Sequence, residues 1–458
     1  MTKKVYRSKK YNISRKKNTK KNNIQNNIQN NIQNKNITLK GGKFIDKGGF
    51  GCVLSPALSC TTSDINLNTS ISKIVKHESE TLKREIAISD QLKKLDPGHK
   101  FYITIDKYCF INDIPRNRTD LVNVTYKDEK LKDLTIDKTD KYNIGKKIDK
   151  NYCDIDIDMK PMNLIMPYAG ISLSSVMKTE RKRKGFKAQM HQMFVDDLKI
   201  YFKHLIIGLL KMHNNRIVNR DIKQKNIMLF WKDIKNKNKN NERNTKPNDK
   251  ANDKANDRSN DKSNDRSNDS SNDIMSIRYI DFGLSEFLTS EISKDISNIS
   301  LQGTTYYLSP EILICYVIRK YENYSEQKQL LKIMDYISKN TKKAFSRLGE
   351  RNILQNIDSY INSIYKKIKF IYDKQRILNV YFGNDNNKFN GYLQKADVYA
   401  LGLSIYETLY RYSEIDVKKN ELLHSLLLNM IELDPDKRYN IVQCLGHRYF
   451  TEKKIKKI

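Results

Sequence analysis

Asp221, Lys223 and Asn226 lie within six residues and carry the groups that phosphoryl transfer needs. A carboxylate orients a hydroxyl or accepts its proton, a cation sits beside the moving phosphate, and an amide oxygen ligates a metal ion such as Mg²⁺. All three fall in Ile217-Val218-Asn219-Arg220-Asp221-Ile222-Lys223-Gln224-Lys225-Asn226-Ile227-Met228-Leu229. Apolar runs bound the polar cluster on both sides, the pattern of two short buried strands around a loop. A second carboxylate, Asp281, closes the strand-like run Ile277-Arg278-Tyr279-Ile280 and precedes Phe282-Gly283. An acid at a strand end, followed by a flexible glycine, suits a metal ligand.

Several elements must hold these groups. Phe44-Ile45-Asp46-Lys47-Gly48-Gly49-Phe50-Gly51-Cys52-Val53 predicts a strand, a tight turn and a second strand, with glycines that let backbone N–H groups approach phosphate oxygens. Ser70-Ile71-Ser72-Lys73-Ile74-Val75-Lys76 alternates as a strand does. Residues 78–95 place Leu82, Ile86, Ile88, Leu92 and Leu95 mostly at helical spacing. From Val195 to Met212, the positions Val195, Leu198, Phe202, Leu205, Leu209 and Met212 form one face of a long amphipathic helix, a core stripe, with His213 a packed structural residue behind it.

In identity and order these motifs resemble eukaryotic-type serine/threonine protein kinases, divergent ones similar to those of large DNA viruses. The loop at Asp221 is similar to H-R-D-x-x-x-x-N with Asn219 in place of His. The glycine run is similar to G-x-G-x-x-G-x-V with Asp46 in place of the first glycine. Asp281-Phe282-Gly283 matches D-F-G. Gly303-Thr304-Thr305-Tyr306-Tyr307-Leu308-Ser309-Pro310-Glu311 matches G-T-x-x-Y-x-x-P-E, and residues 165–170 resemble the hinge.

The resemblance implies an α+β, two-lobed protein-kinase fold: a small β-rich N-lobe with the αC helix, and a large, mostly α-helical C-lobe. It implies ATP and Mg²⁺ as cofactors and protein substrates as partners, with the γ-phosphoryl group passing to Ser/Thr hydroxyls. Ile45, Asp46, Lys47, Gly48, Gly49, Phe50, Gly51, Cys52 and Val53 would cover the nucleotide. Lys73 would hold the α/β-phosphates, with Lys76 the alternative, and Glu85 would pair with that lysine. Lys73 precedes Glu85 by 85 − 73 = 12 positions, room for a turn and the start of a helix. Asn226 and Asp281 would hold Mg²⁺, Asp221 would orient the hydroxyl, and Lys223 would neutralise the γ-phosphoryl charge. Thr304 would touch Asp221 and Lys223, Glu311 would pair with Arg438, and Asp397 would hold the loop backbone. Arg220 would face a phosphorylated residue among Ser285, Thr289, Ser290, Ser293, Ser297 and Ser300.

Length and composition frame the domain plan. The 458 residues carry 85 Lys+Arg against 53 Asp+Glu, a net charge of +32. Residues 1–40 hold twelve basic and no acidic side chains, with Asn-Asn-Ile-Gln written three times, and read as a disordered tail. The kinase domain spans 41–450, with the N-lobe at 41–166 and the C-lobe at 167–450. Within it, 234–273 is a disordered low-complexity insertion built on six Asn-Asp units, and 315–390 is a large C-lobe insertion. The charge also admits weak nucleic-acid or anionic-surface contact through the tail. Two other functions fit the same motifs: a pseudokinase scaffold, and a basic nucleic-acid-binding protein on a kinase-like fold.

Six cysteines without a C-x-x-C pair predict reduced thiols. No apolar leader and no run long enough to span a bilayer occur, which predicts a non-secreted, cytoplasmic protein (host cytoplasm or virion, if viral).

Overall fold

Glycine and alternating apolar residues build the first part of the chain. In the computed structural model, β1 (Lys43–Gly48), β2 (Gly51–Ser55) and β3 (Ser70–Val75) form an antiparallel meander. Gly48 faces Gly51 across the turn, and a register shift between Phe44 and Asp46 bends β1. Cys52, Leu54, Ser72 and Ile74 point to the buried side. The structure describes residues 43–48, 51–58, 60, 65–75, 79–110, 124–125, 153–154, 161–178, 186–233, 273–288, 304–320, 327–369, 386–413 and 415–452. The tail 1–40, Gly49, Phe50, Lys76 and nearly all of 234–273 lie outside them.

The chain divides into two compact units: Met1–Lys76 with Cys109–Asn163, and His77–Tyr108 with Leu164–Ile458. In the first, Gly51 fixes the meander. A Cβ there would stand 1.8 Å from the Ile74 carbonyl oxygen, so only glycine lets β2 lie this close to β3. The Ser72 hydroxyl accepts from the Leu58 N–H at 2.8 Å, and the Asn163 amide donates to the Leu58 carbonyl at 3.1 Å. Cys60 and Cys109 form a disulfide with Cα atoms 6.0 Å apart, and Cys52 is disulfide-bonded as well. This corrects the expectation of reduced thiols. The Cys60–Cys109 pair is 49 residues apart in sequence, so no local spacing announced it. Cys315 and Cys444 are free and buried, as expected of core thiols.

The second unit is mostly helical. α1 (Glu80–Leu95) starts where the Ser79 hydroxyl caps the Leu82 N–H, and it buries Leu82, Glu85, Ile88 and Leu92. At its end the Asp96 carboxylate accepts the N–H groups of Lys100, Phe101 and Tyr102 at 2.6–3.0 Å. α2 (Leu198–Asn214) buries the expected stripe from Leu198 to Met212. The helix begins three residues later than the periodicity suggested: Val195 belongs to a separate helix, Phe186–Asp196, and Asp197 interrupts the two.

Short strands then frame the loop at Asp221. β4 (Ile171–Ser172), β6 (Ile227–Asp233) and β7 (Asp273–Tyr279) form one small antiparallel sheet. β5 (Ile217–Val218) pairs with β8 (Glu286–Phe287). Gly170, at φ +95°, makes room for the Leu229 carbonyl, which a Cβ would approach to 2.1 Å.

The described helices of the region 315–390 contribute side chains to the core. α3 (Pro310–Lys320), α4 (Gln327–Ser346) and α5 (Arg351–Ile368) precede the long α6 (Asn386–Tyr412). Ile337, Phe345, Leu348, Ile357 and Ile364 are fully buried and join the same apolar cluster as Leu401 and Leu409 of α6. Glu350, at the start of α5, is gripped by the Tyr406 hydroxyl, by Lys418 at 3.3 Å and by His424 at 3.2 Å. Burial alone would raise its carboxyl pKa, but these three partners together hold it below the usual range.

Candidate active site

The loop at Asp221 folds on its own polar groups. Lys223 Nζ lies 2.6 Å from Asp221 Oδ2, and the Asn226 amide donates to the same oxygen at 2.9 Å and to the Asp221 carbonyl at 3.0 Å. The Ile280 N–H donates to the Asn226 carbonyl at 3.0 Å, which ties the loop to the end of strand β7, two residues before Asp281. That strand is held from the other side, where Tyr279 exchanges backbone hydrogen bonds with Phe101 and Ile103 at 2.9 Å.

Asp221 is buried, and burial is the first reason that its pKa rises above the ordinary aspartate value. The negative charge of Asp281 pushes in the same direction, while Lys223 and Asn226 pull the other way. Asp221 and Asp281 therefore share one electrostatic neighbourhood. Glu85 of α1 belongs to it too: a Cβ on Gly283 would lie 3.2 Å from Glu85 Oε2 and 3.6 Å from Asp281 Oδ1. A buried glutamate on a helix face calls for such a polar setting. Arg220 and Asp281 both adopt left-handed backbone conformations, φ +67° and +63°, which a non-glycine residue keeps only where its surroundings impose it.

Asp397 of α6 imposes much of that shape. Its Oδ2 and Oδ1 accept the N–H groups of Asn219 and Arg220, each at 2.7 Å, and His213 Nε2 sits 3.2 Å from Oδ2. Asn219 fills the place that the motif gives to histidine. Its side-chain oxygen accepts the Asp221 N–H at 3.1 Å and its carbonyl accepts the Ser285 hydroxyl at 3.1 Å. The substitution thus leaves a bonded, buried residue in place. Thr304 Oγ1 lies 3.3 Å from Lys223 Nζ, so Thr304 meets the lysine, which in turn meets Asp221. Farther out, Arg438 and Glu311, both fully buried, form a two-pronged ion pair at 2.5 and 3.1 Å.

Sequence reasoning missed two residues here. Arg220 faces Glu286, at 3.1 Å, and Glu286 also binds Arg84 of α1 at 2.5 Å. Glu286 thus gives Arg220 a carboxylate partner. Ser285, one of the six candidates, is fully buried, and the other five lie outside the described residues. Neither Arg84 nor Glu286 falls in a motif, and they are 202 residues apart, so only the fold could pair them.

The first unit carries the remaining predicted residues. Lys73 is half-buried on β3, opposite Val53 of β2 and two positions from the Gly51 contact. Cross-strand partners share a sheet face, so Lys73 and Val53 project together, away from buried Cys52, Leu54 and Ile74. Ile45 is exposed on β1, which also holds Asp46, Lys47 and Gly48.

Residues 151–328 match the family model of the protein kinase domain. The match supports a protein kinase, with phosphotransfer to proteins, and implies ATP and a divalent metal in general. It spans Asp221, Lys223, Asn226 and Asp281, whereas the glycine turn, Lys73, Glu85, Asp397 and Arg438 fall outside it. Mixed helix and antiparallel sheet agree with an α+β kinase domain. No curated protein matches the chain. Among the described residues no helix is long and apolar enough to cross a membrane. Nor does any cluster of three or more His, Cys, Asp or Glu side chains form a metal cage there. A kinase metal needs none, because nucleotide phosphates complete its shell around one or two protein oxygens. The oxygen donors of Asp281 and Asn226 fit that demand.

Proposed function

We propose that this kinase domain transfers the γ-phosphoryl group of ATP to Ser or Thr hydroxyls of protein substrates. The observation that carries the reading is the convergence of Asp221, Lys223 and Asn226 on one carboxylate oxygen, with the charge of Asp281 beside them. A lone cation or carboxylate on a surface needs no such arrangement. Asp221, as carboxylate, aligns the incoming hydroxyl and accepts its proton. Lys223 already contacts both Asp221 and Thr304, and it supplies positive charge where the phosphoryl group passes. Asp281 and the Asn226 oxygen would hold Mg²⁺, which neutralises phosphate charge when bound. Lys73 and the glycine turn are assigned the nucleotide phosphates by motif order, and Glu85 is assigned to Lys73. Asp397 and Arg438 are positioning residues: they fix the backbone and the segment on which the chemistry stands.

Phosphate transfer from labelled ATP·Mg²⁺ to a mixed pool of Ser-, Thr- and Tyr-containing peptides tests the reading. Label is expected on Ser and Thr. Asp221→Asn should lower turnover about thousandfold, the scale of a lost general base, while the affinity for a fluorescent ATP analogue stays within about threefold. Wild-type binding of the analogue without any transfer would leave a scaffold instead of an enzyme. Full turnover by Asp221→Asn would remove Asp221 from the chemistry.

A further inference from the structure

A second charged cluster adjoins the candidate site and is not used by the mechanism above. Glu407 of α6 is only 3 % exposed. Its Oε1 faces Arg411 at 2.9 Å and Arg347 at 3.6 Å, and its Oε2 accepts from the Tyr307 hydroxyl at 3.0 Å and from the Gln224 amide at 3.4 Å. Four donors saturate this buried carboxylate, so it cannot reach out to a basic side chain of a peptide. The two guanidiniums differ from it in both respects. Each side chain is 41 % exposed, and together they bring two positive charges to one negative. Among the described residues, Glu407 is the acid with which either arginine forms an ion pair.

The location ties this surplus charge to the substrate side. Arg347 stacks 4.3 Å above the Tyr306 ring, which packs edge-on against Tyr307. Both tyrosines belong to the turn Thr305–Tyr307, directly after the Thr304 that meets Lys223. Tyr306 is two positions from Thr304, at most ~7 Å of backbone. An extended peptide with its hydroxyl at Asp221 therefore reaches the arginines within about five residues. The contact with the Tyr306 ring restrains the Arg347 side chain, and a guanidinium is the side-chain cation best suited to carboxylates and phosphates. Arg347 follows α4, so it is delivered by the region 315–390, which the motifs left without a role.

We propose that Arg347 and Arg411 form an anion subsite that selects substrates bearing an acidic side chain within about five residues of the phosphorylated hydroxyl. This rests on the kinase reading and names its substrate class. The net charge of +32 favours the same partners at long range.

The test uses the full chain and three fluorescent Ser peptides: neutral, with aspartates on both sides of the serine, and with arginines there. A fourth carries phosphoserine in place of one aspartate. Binding is read by anisotropy and transfer by kcat/KM. The aspartate peptide is expected to exceed the neutral one about tenfold in both, the ratio of one charge-assisted hydrogen bond, and the arginine peptide should fall below both. Arg347→Gln should bring the acidic-to-neutral ratio below about twofold, and Arg347→Lys should keep part of it. A preference for phosphoserine over aspartate would identify prior phosphorylation as the source of the anion. Equal handling of the three peptides, or a preference that survives Arg347→Gln together with Arg411→Gln, overturns the subsite. Selective binding without transfer supports the subsite and overturns the kinase reading instead.

Discussion

In the first unit the pairing of β2 with β3 is held by shape, whereas in the second the loop at Asp221 is held by charge. Gly51 lets two backbones touch, and a disulfide from Cys60 to Cys109 closes the chain around them. The loop at Asp221 instead hangs from buried carboxylates: Asp397 on its backbone, Glu286 on Arg220, and Glu311 on Arg438 beyond it. Under the kinase reading the contrast suits two tasks. Phosphate oxygens are recognised by backbone N–H groups that glycine leaves uncovered, whereas a reacting hydroxyl needs side chains fixed in angle and charge.

The largest test of this contrast removes one partner of a buried pair. Arg438→Leu leaves Glu311 charged and alone, and should destabilise the second unit by about 3–5 kcal/mol. Hydrogen exchange followed peptide by peptide would show lost protection around 304–320 and 386–452. Equal loss across residues 43–75 would mean that the two units do not differ in this way. Cys60→Ser with Cys109→Ser is the mirror experiment. Opening a loop of 49 residues should lower stability by about 4 kcal/mol on the chain-entropy model, with the loss confined to the first unit. Addition of dithiothreitol should cause at least this loss in the wild type and a smaller one in the double variant, where the disulfide of Cys52 is still there to be reduced.

Smaller changes sharpen the comparison. Gly51→Ala forces a Cβ into the Ile74 carbonyl and should cost about 2 kcal/mol through overpacking. Under the kinase reading it should raise KM for ATP more than it lowers kcat. The smallest effect is in pH. Asp221 must be ionised to accept a proton, and burial first, then Asp281, place its pKa above that of an ordinary aspartate. Activity should therefore fall on acidification at a higher pH than an exposed aspartate would give. Lys223 pulls that pKa down, so Lys223→Met should move the acid limb of kcat/KM farther up. A limb displaced toward lower pH would contradict this electrostatic picture.

Much of the site was legible because its parts are close in sequence or periodic. Asp221, Lys223 and Asn226 sit within one turn of chain, and Glu85 falls on the buried face of a helix whose stripe is plain. Asp397 and Arg438 were readable from their motifs, and the fold gives each the partner expected. What escaped depends on contacts between distant segments. Glu286 meets Arg84 across 202 residues, Cys60 meets Cys109 across 49, and Glu407 meets Tyr307 across 100. Neither periodicity nor spacing encodes such pairs. The break at Asp197 was hidden for a different reason, since apolar residues on both sides of it keep a helical rhythm.

The carboxylate of Glu286, seated between Arg84 and Arg220, has a consequence for control. Its charge is written in the gene and present from translation onward. A negative partner for Arg84 and Arg220 is therefore in place without any covalent modification of Glu286.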